Sequence, residues 1–200
     1  MTETKDGSVR ILSEKVLSDD WARLTKYVIE RPYRDGKWHE DIRQVYDRGN
    51  GAAILPVDPA RGTVLLVRQF RMPVYLNPRA GHADGMLLEA CAGLLDANDP
   101  ETAIRKEAEE ELGYRMGAIE LVFDMYMSPG SVSERLALYV AQYSPADKIS
   151  AGGGLDHEGE DIEVLELPLD EALAMVERGE IADAKTVMLL QYVKLKGIAG

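Results

Sequence analysis

The sequence predicts an α/β fold opened by a small antiparallel sheet. Three observations carry that reading. Residues 9–17, 21–30 and 39–47 alternate apolar and polar side chains, as half-exposed strands do. Residues 52–57 and 63–70 are two apolar runs with the look of central strands. Residues 100–112, 168–178 and 183–195 switch to the helical period.

Taken in order, residues 1–8 are polar and read as a frayed tail. The next two runs pair antiparallel, and Asp35-Gly36 is a hairpin signal leading into the third. Three twisted strands with polar faces bury little alone, so this sheet is expected to pair with a second copy of the chain or to cover an active site. Arg48-Gly49-Asn50-Gly51 breaks the pattern and separates an N-terminal β subdomain, 1–48, from a larger domain, 49–200. The central strands flank the turn 58–62. Residues 73–85 then read as loop, and 86–92 as a short strand that delivers the chain to Gly93.

Asp99 before Pro100 suits an N-cap with proline first, and Gly113 suits a helix stop, which bounds the helix at 100–112. Strands at 118–126 and 136–143 are joined by MSPGSVSE, whose Pro129-Gly130 marks a tight turn. The stretch AGGGLDHEGED, 151–161, is glycine-rich and acidic. Its three consecutive glycines predict a mobile lid that brings in a further carboxylate; an ordinary solvated connection is the competing reading. A strand at 162–167 and the two last helices complete the chain.

With 200 residues and 46% apolar content, the chain is long enough for one domain of ordinary size with a small appended unit. Its formal net charge of -12 argues against nucleic acid or an anionic membrane as the main partner. Acidity does not exclude phosphate substrates, because carboxylates holding Mg²⁺ turn a negative site into one that receives phosphate. The single cysteine, Cys91, lies in the apolar run MLLEACAG and reads as a small buried residue in a reducing compartment. No apolar signal core or membrane-length window is present, so a cytoplasmic location is expected.

The chemistry concentrates in GLLDANDPETAIRKEAEEELGY, 93–114. On a helix, Glu107 and Glu111 fall at i and i+4, with Glu110 at i+3 from Glu107. Like charges at that spacing cost about a few tenths of a kcal/mol each, and a divalent cation would remove the repulsion. Ile104, Ala108 and Leu112 form a separate stripe that can pack on a sheet.

KEAEEELGY, 106–114, resembles the second half of the Nudix box. Two departures show: Lys106 stands where the pattern has arginine, and the first half is one residue short, leaving Asp99 as the nearest acid for the expected glutamate. Beyond the box, QVYDRGNGAAIL, VRQFR, EACAGLLD, MYMSPG, AGGG, EDIEVLELP and GEIADAKTV are similar to the GDP-mannose pyrophosphatase branch of the Nudix nucleotide-sugar hydrolases. The resemblance implies an α/β/α Nudix sandwich with a mixed sheet, plus an N-terminal antiparallel β-sheet subdomain exchanged or paired across a homodimer.

It further implies Mg²⁺, with Mn²⁺ as the alternative, held by Glu107, Glu111, the nearby Glu110, the backbone carbonyl of Ala92, and Glu160. Glu158 matches the region where related ADP-ribose hydrolases place a general base, and a carboxylate there could equally bind metal or nothing. Substrate contacts carry over to Arg43, Gln44, Arg71, Gly93, Leu94, Glu134, Asp161 and Lys185. Trp21 occupies an aromatic position that could stack on a base; the competing reading is a core or dimer-contact tryptophan. His39 and His157 lack a second ligand at metal spacing and read as surface residues.

The expected activity is Mg²⁺-dependent hydrolysis of a nucleoside diphosphate sugar, GDP-mannose to GMP and mannose 1-phosphate, with Glu111 and Glu158 as catalytic residues. The rivals are ADP-ribose or ADP-sugar hydrolysis, and a non-catalytic nucleotide-sugar sensor. No nucleic-acid or membrane partner is expected.

Overall fold

The computed structural model describes residues 2–3, 8–155 and 159–198. They cluster into two compact units: Met1–Asn50 with Tyr126–Arg135, and Gly51–Met125 with Leu136–Gly200. The alternation of residues 9–47 produces an antiparallel meander in the first unit. Its strands are β1 (Thr2–Glu3), β2 (Arg10–Asp19), β3 (Arg23–Pro32) and β4 (Trp38–Asp47), in that order across the sheet. The hairpin forms at Asp35-Gly36 as expected: Gly36 is left-handed at φ 78°, and Asp35 Oδ1 accepts from the Lys37 N–H at 2.9 Å. Thr2–Glu3, read as part of a frayed tail, instead pairs with Ile11 and Arg10. Two residues are too short a run to carry a period of their own. Thr25 is the one buried residue of β2 to β4.

The second unit is a mixed sheet. Its strands are β5 (Gly51–Asp58), β6 (Thr63–Phe70), β7 (Met86–Glu89), β8 (Cys91–Leu94), β9 (Ile119–Tyr126), β10 (Arg135–Gln142) and β11 (Glu163–Pro168). They run β11-β6-β5-β10-β9, with β7 on β6 and β8 on β5. β10 is parallel to β5, while the pairs β5–β6, β5–β8, β6–β7 and β6–β11 are antiparallel.

Every residue of β5 is buried, which explains its continuous apolar run. Pleat alternation sends Ala52 and Ile54 to one face, where Leu65, Val67, Ala137 and Tyr139 join the stripe Ile104, Ala108 and Leu112. The other face meets α4 (Ala184–Lys196), which packs on β5 and buries Lys185, Thr186, Leu189, Leu190 and Val193 along one stripe. α3 (Leu169–Arg178) packs against α4 and β11 and ends at left-handed Gly179. The sheet is thus covered by helix on both sides, as an α/β/α sandwich requires.

Two local differences from expectation matter. A short helix, α1 (Met72–Leu76), takes up the first residues of what read as loop; it buries no residue, so no apolar period marks it. The helix bounded at 100–112 is α-helical only over α2 (Pro100–Glu107) and continues as a π-helical turn over Ala108–Leu112. Its caps form as read, with Asp99 Oδ1 accepting from the Thr102 N–H at 3.0 Å and Gly113 left-handed at φ 77°. Among the described residues no helix is long and apolar enough to cross a membrane.

Candidate active site

The run 86–94 changes partner midway. Glu89 pairs with Val67 of β6, whereas Cys91 pairs with Ile54 of β5. Ala90 lies at the crossing, where its N–H leaves the ladder and donates to Thr186 Oγ1 at 2.7 Å. Thr186 in turn donates to Asp183 Oδ2 from its hydroxyl at 2.6 Å and from its N–H at 3.0 Å, which caps α4. This docking lays Lys185 beside Glu89, a carboxylate only 2% exposed. Lys185 Nζ bonds Glu89 Oε2 and lies 3.1 Å from Asp183, and Arg71 Nε donates to Glu89 Oε1 at 2.6 Å. Burial disfavours the charge on both cations, but Glu89 and Asp183 outweigh it, so Lys185 and Arg71 stand above their ordinary pKa values.

Farther along the same run, the strand carries the acids of α2. A Cβ at Gly93 would collide with the Glu107 carboxylate, so glycine is what lets that side chain lie against β8. Glu111, in the π turn, is 2% exposed and accepts from the Ala92 N–H at 3.3 Å. Its pKa is pushed up to about 8, first by burial and then by the negative Glu107, Glu160 and Glu89; a hydrogen bond from the Cys91 thiol opposes this. Cys91 is itself fully buried, and burial raises its thiol pKa well above the ordinary value.

The glycines of AGGG are not slack. Gly153 N–H donates to the Glu111 carbonyl at 2.8 Å and Gly154 N–H to the Glu110 carbonyl at 3.2 Å, closing the open end of the π turn. Gly152, Gly153 and Gly154 all have positive φ, and a Cβ at Gly152 would strike the Glu111 carbonyl. Gly152 therefore serves close backbone approach, while Gly153 and Gly154 supply positive φ and N–H donors to the π turn. Glu160 folds back on this loop, its Oε2 accepting from the Leu155 N–H at 2.9 Å.

The remaining candidates fall as follows. Ala92, Gly93 and Leu94 lie in β8 opposite Ala53, Ala52 and Gly51. Glu110 pairs with Lys106 at 3.2 Å, and Asp99 is the helix cap. Asp161 is exposed beside Glu160. Glu158 and His157 lie outside the described residues. In the first unit, Trp21 is 69% exposed, which removes it from that unit's core. The Arg48 guanidinium lies 5.8 Å from the Trp21 ring centroid and is paired with Glu134 at 2.6 Å. Arg43 Nη1 donates to its neighbour's Ile42 carbonyl at 2.8 Å, and Gln44 is exposed opposite Lys26.

Glu89, Asp183 and Thr186 are the residues the sequence reading missed. A lone acid inside the buried run MLLEACAG was the available signal for Glu89. The donor set of Glu107, Glu111 and Glu160 fits a hard divalent cation, since it is all oxygen and its members repel one another. Among the described residues, no three His, Cys, Asp or Glu side chains converge closely enough to grip an ion by themselves. Magnesium does not require that, because it keeps several waters and uses substrate oxygens.

Comparison with known proteins places the chain in a family. Residues 8–46 match the GDP-mannose pyrophosphatase NudK N-terminal domain, and residues 47–190 match the NUDIX domain. The GDP-mannose pyrophosphatase of Pectobacterium atrosepticum is 52% identical over 189 residues, covering 94% of this chain and 95% of that protein. That of Cronobacter sakazakii is 48% identical over 191 residues, covering 96% and 97%. The crystal structure of an ADP compounds hydrolase shares the fold at a TM-score of 0.70 and 18% identity, covering 96% of this chain and 97% of that one. The box at 106–114, the sandwich around it and the match over 47–190 together establish that the chain belongs to the Nudix hydrolase family.

Proposed function

We propose that this Nudix hydrolase cleaves the diphosphate of GDP-mannose, adding water to phosphorus as the bridging oxygen leaves, to give GMP and mannose 1-phosphate. The observation that carries the reading is one strand run, 86–94, that anchors acids and cations together. Glu89 holds Arg71 and Lys185, while Ala92 and Gly93 seat Glu111 and Glu107. Hard oxygens beside two cations suit a diphosphate and its counter-ion. The names of the relatives supply the base and the sugar.

Nudix hydrolases work with a divalent cation, here Mg²⁺ with Mn²⁺ as the alternative. When bound, it would neutralise diphosphate charge and acidify a coordinated water. Glu107, Glu111, the Ala92 carbonyl and Glu160 would hold it, with Glu110 alongside. Arg71 offers a planar fork to the phosphate oxygens, and Lys185 a point charge. Trp21, Arg43, Gln44, Gly93, Leu94, Glu134 and Asp161 are the further substrate contacts, and Glu158 is the general base. The β unit at 1–48 serves dimerisation and substrate contact, and 49–200 carries the chemistry.

The test is product analysis of purified protein with Mg²⁺ on GDP-mannose, ADP-ribose and ADP-glucose. GMP release is expected to be fastest, and a preference for the adenine substrates would overturn the base assignment. Glu111→Gln is expected to lower kcat by at least about 100-fold, the range for loss of an acid–base group or metal ligand. Unchanged kinetics would remove Glu111 from the site.

A further inference from the structure

We propose that Glu89 is a positioning residue of the diphosphate site, holding Arg71 on one carboxylate oxygen and Lys185 on the other so that both cations are set for phosphate. The inference rests on the pyrophosphatase reading and goes beyond it, because it assigns a role to a residue that would touch no substrate.

Glu89 is buried at 2% exposure in the strand that also seats the acids. Its Oε1 accepts from Arg71 Nε at 2.6 Å, and its Oε2 bonds Lys185 Nζ. The contact to Arg71 uses Nε, whereas the two terminal nitrogens are the pair that matches two phosphate oxygens. Lys185 is steadied twice, by Glu89 and by Asp183 at 3.1 Å. Each cation comes from a different element: Arg71 precedes α1, and Lys185 opens α4. One central carboxylate therefore fixes the spacing of two charges that the chain alone would leave independent.

A purely structural role explains this poorly. A buried ion pair is weak evidence for stability, since well-packed apolar residues of similar volume do as well or better. Local stability here is already served by Thr186, which satisfies the Ala90 N–H and is itself held by Asp183. What Glu89 adds is a fixed anchor for the Arg71 guanidinium and, for Lys185, the largest influence opposing the burial that disfavours its charge.

The experiment compares wild type, Glu89→Gln, Arg71→Gln/Lys185→Met and the triple variant, each with Mg²⁺. It measures kcat and KM for GDP-mannose, and GDP affinity by calorimetry. Glu89→Gln is expected to raise KM and the GDP Kd by at least about tenfold, while adding less than about threefold in the Arg71→Gln/Lys185→Met background, because contacting groups are not additive. Thermal unfolding verifies folding. Should Glu89→Gln fail to fold, the charge-neutral Glu89→Gln/Lys185→Gln replaces it and is expected to bind GDP more weakly than Lys185→Gln, because Arg71 loses its carboxylate as well; equal affinity would overturn the proposal. Wild-type KM and GDP Kd in Glu89→Gln, or an equal loss in both backgrounds, would overturn the proposal while leaving the pyrophosphatase reading intact. A wild type that binds GDP but cleaves no nucleotide sugar would sink that reading, and weakened GDP binding by Glu89→Gln would still support the positioning role.

Discussion

At Gly93 the absence of a side chain is what gives Glu107 its place. Alanine there would put a methyl group into the Glu107 carboxylate, which must swing off β8. The colliding group is the end of a flexible side chain, so the fold survives, but displacement of a reacting group by about 1 Å can cost about 100-fold. Gly93→Ala is expected to keep its unfolding midpoint while kcat with Mg²⁺ falls by at least about tenfold. A kinetically normal Gly93→Ala would separate Glu107 from the chemistry. Glu111 makes a second prediction. In metal-free protein its carboxyl titrates near pH 8, against 4.5 for an unperturbed glutamate. Between those values the folded state binds a proton that the unfolded state lacks, so stability falls as pH rises through the interval and levels off above it. Urea unfolding in a chelator at pH 5 and pH 9, for wild type and Glu111→Gln, checks this; the decline is expected to flatten in the variant. The i, i+4 spacing made Glu107 and Glu111 legible as partners. Their burial was not legible, because it comes from a separate element, β8, against which both side chains lie.

At the scale of elements, the decisive features are a strand that changes partner and a helix that changes pitch. Residues 86–92 read as one strand because, Glu89 apart, their side chains are apolar on both sides of Ala90; only the change from β6 to β5 splits them. The π turn is hidden for a similar reason. Ile104, Ala108 and Leu112 keep the same apolar stripe whether the last turn is α or π, and the difference lies in the Gly113 N–H reaching the Ala108 carbonyl. The glycine triplet was visible, but its use was not, since close approach and free hinge demand the same residue. Thr186 joins the strand crossing to the cap of α4. Thr186→Val keeps the shape and the N–H cap to Asp183, but leaves the buried Ala90 N–H without its acceptor and removes the hydroxyl bond to Asp183. It is expected to cost about 1–3 kcal/mol in urea unfolding and to raise KM with it, as Lys185 sits on the same turn. Lost stability with an unchanged KM would show that α4 docks independently of the diphosphate site.

For the whole molecule, the question is what the first unit packs against. β2 to β4 bury only Thr25 and expose Val16, Leu17, Trp38 and, at 53%, Ile42. A sheet this open is marginal without a covered face. The alternating pattern already carried that weakness, though the pattern alone does not say what covers the sheet. Cover by a second copy of the chain is the proposal to test, and on it light scattering is expected to give about twice 22.1 kDa. Ile42→Asp is expected to weaken the dimer by at least about tenfold, the effect of placing a charge in an apolar contact. Salt distinguishes this assembly from an ionic one. Each copy carries a formal charge of -12, so association works against repulsion that screening relieves. The dimer is therefore expected to tighten as salt rises, measured by sedimentation at low and high ionic strength. A dimer that loosened with salt would mean that surface ion pairs, and not Ile42 and its apolar neighbours, hold the two copies together.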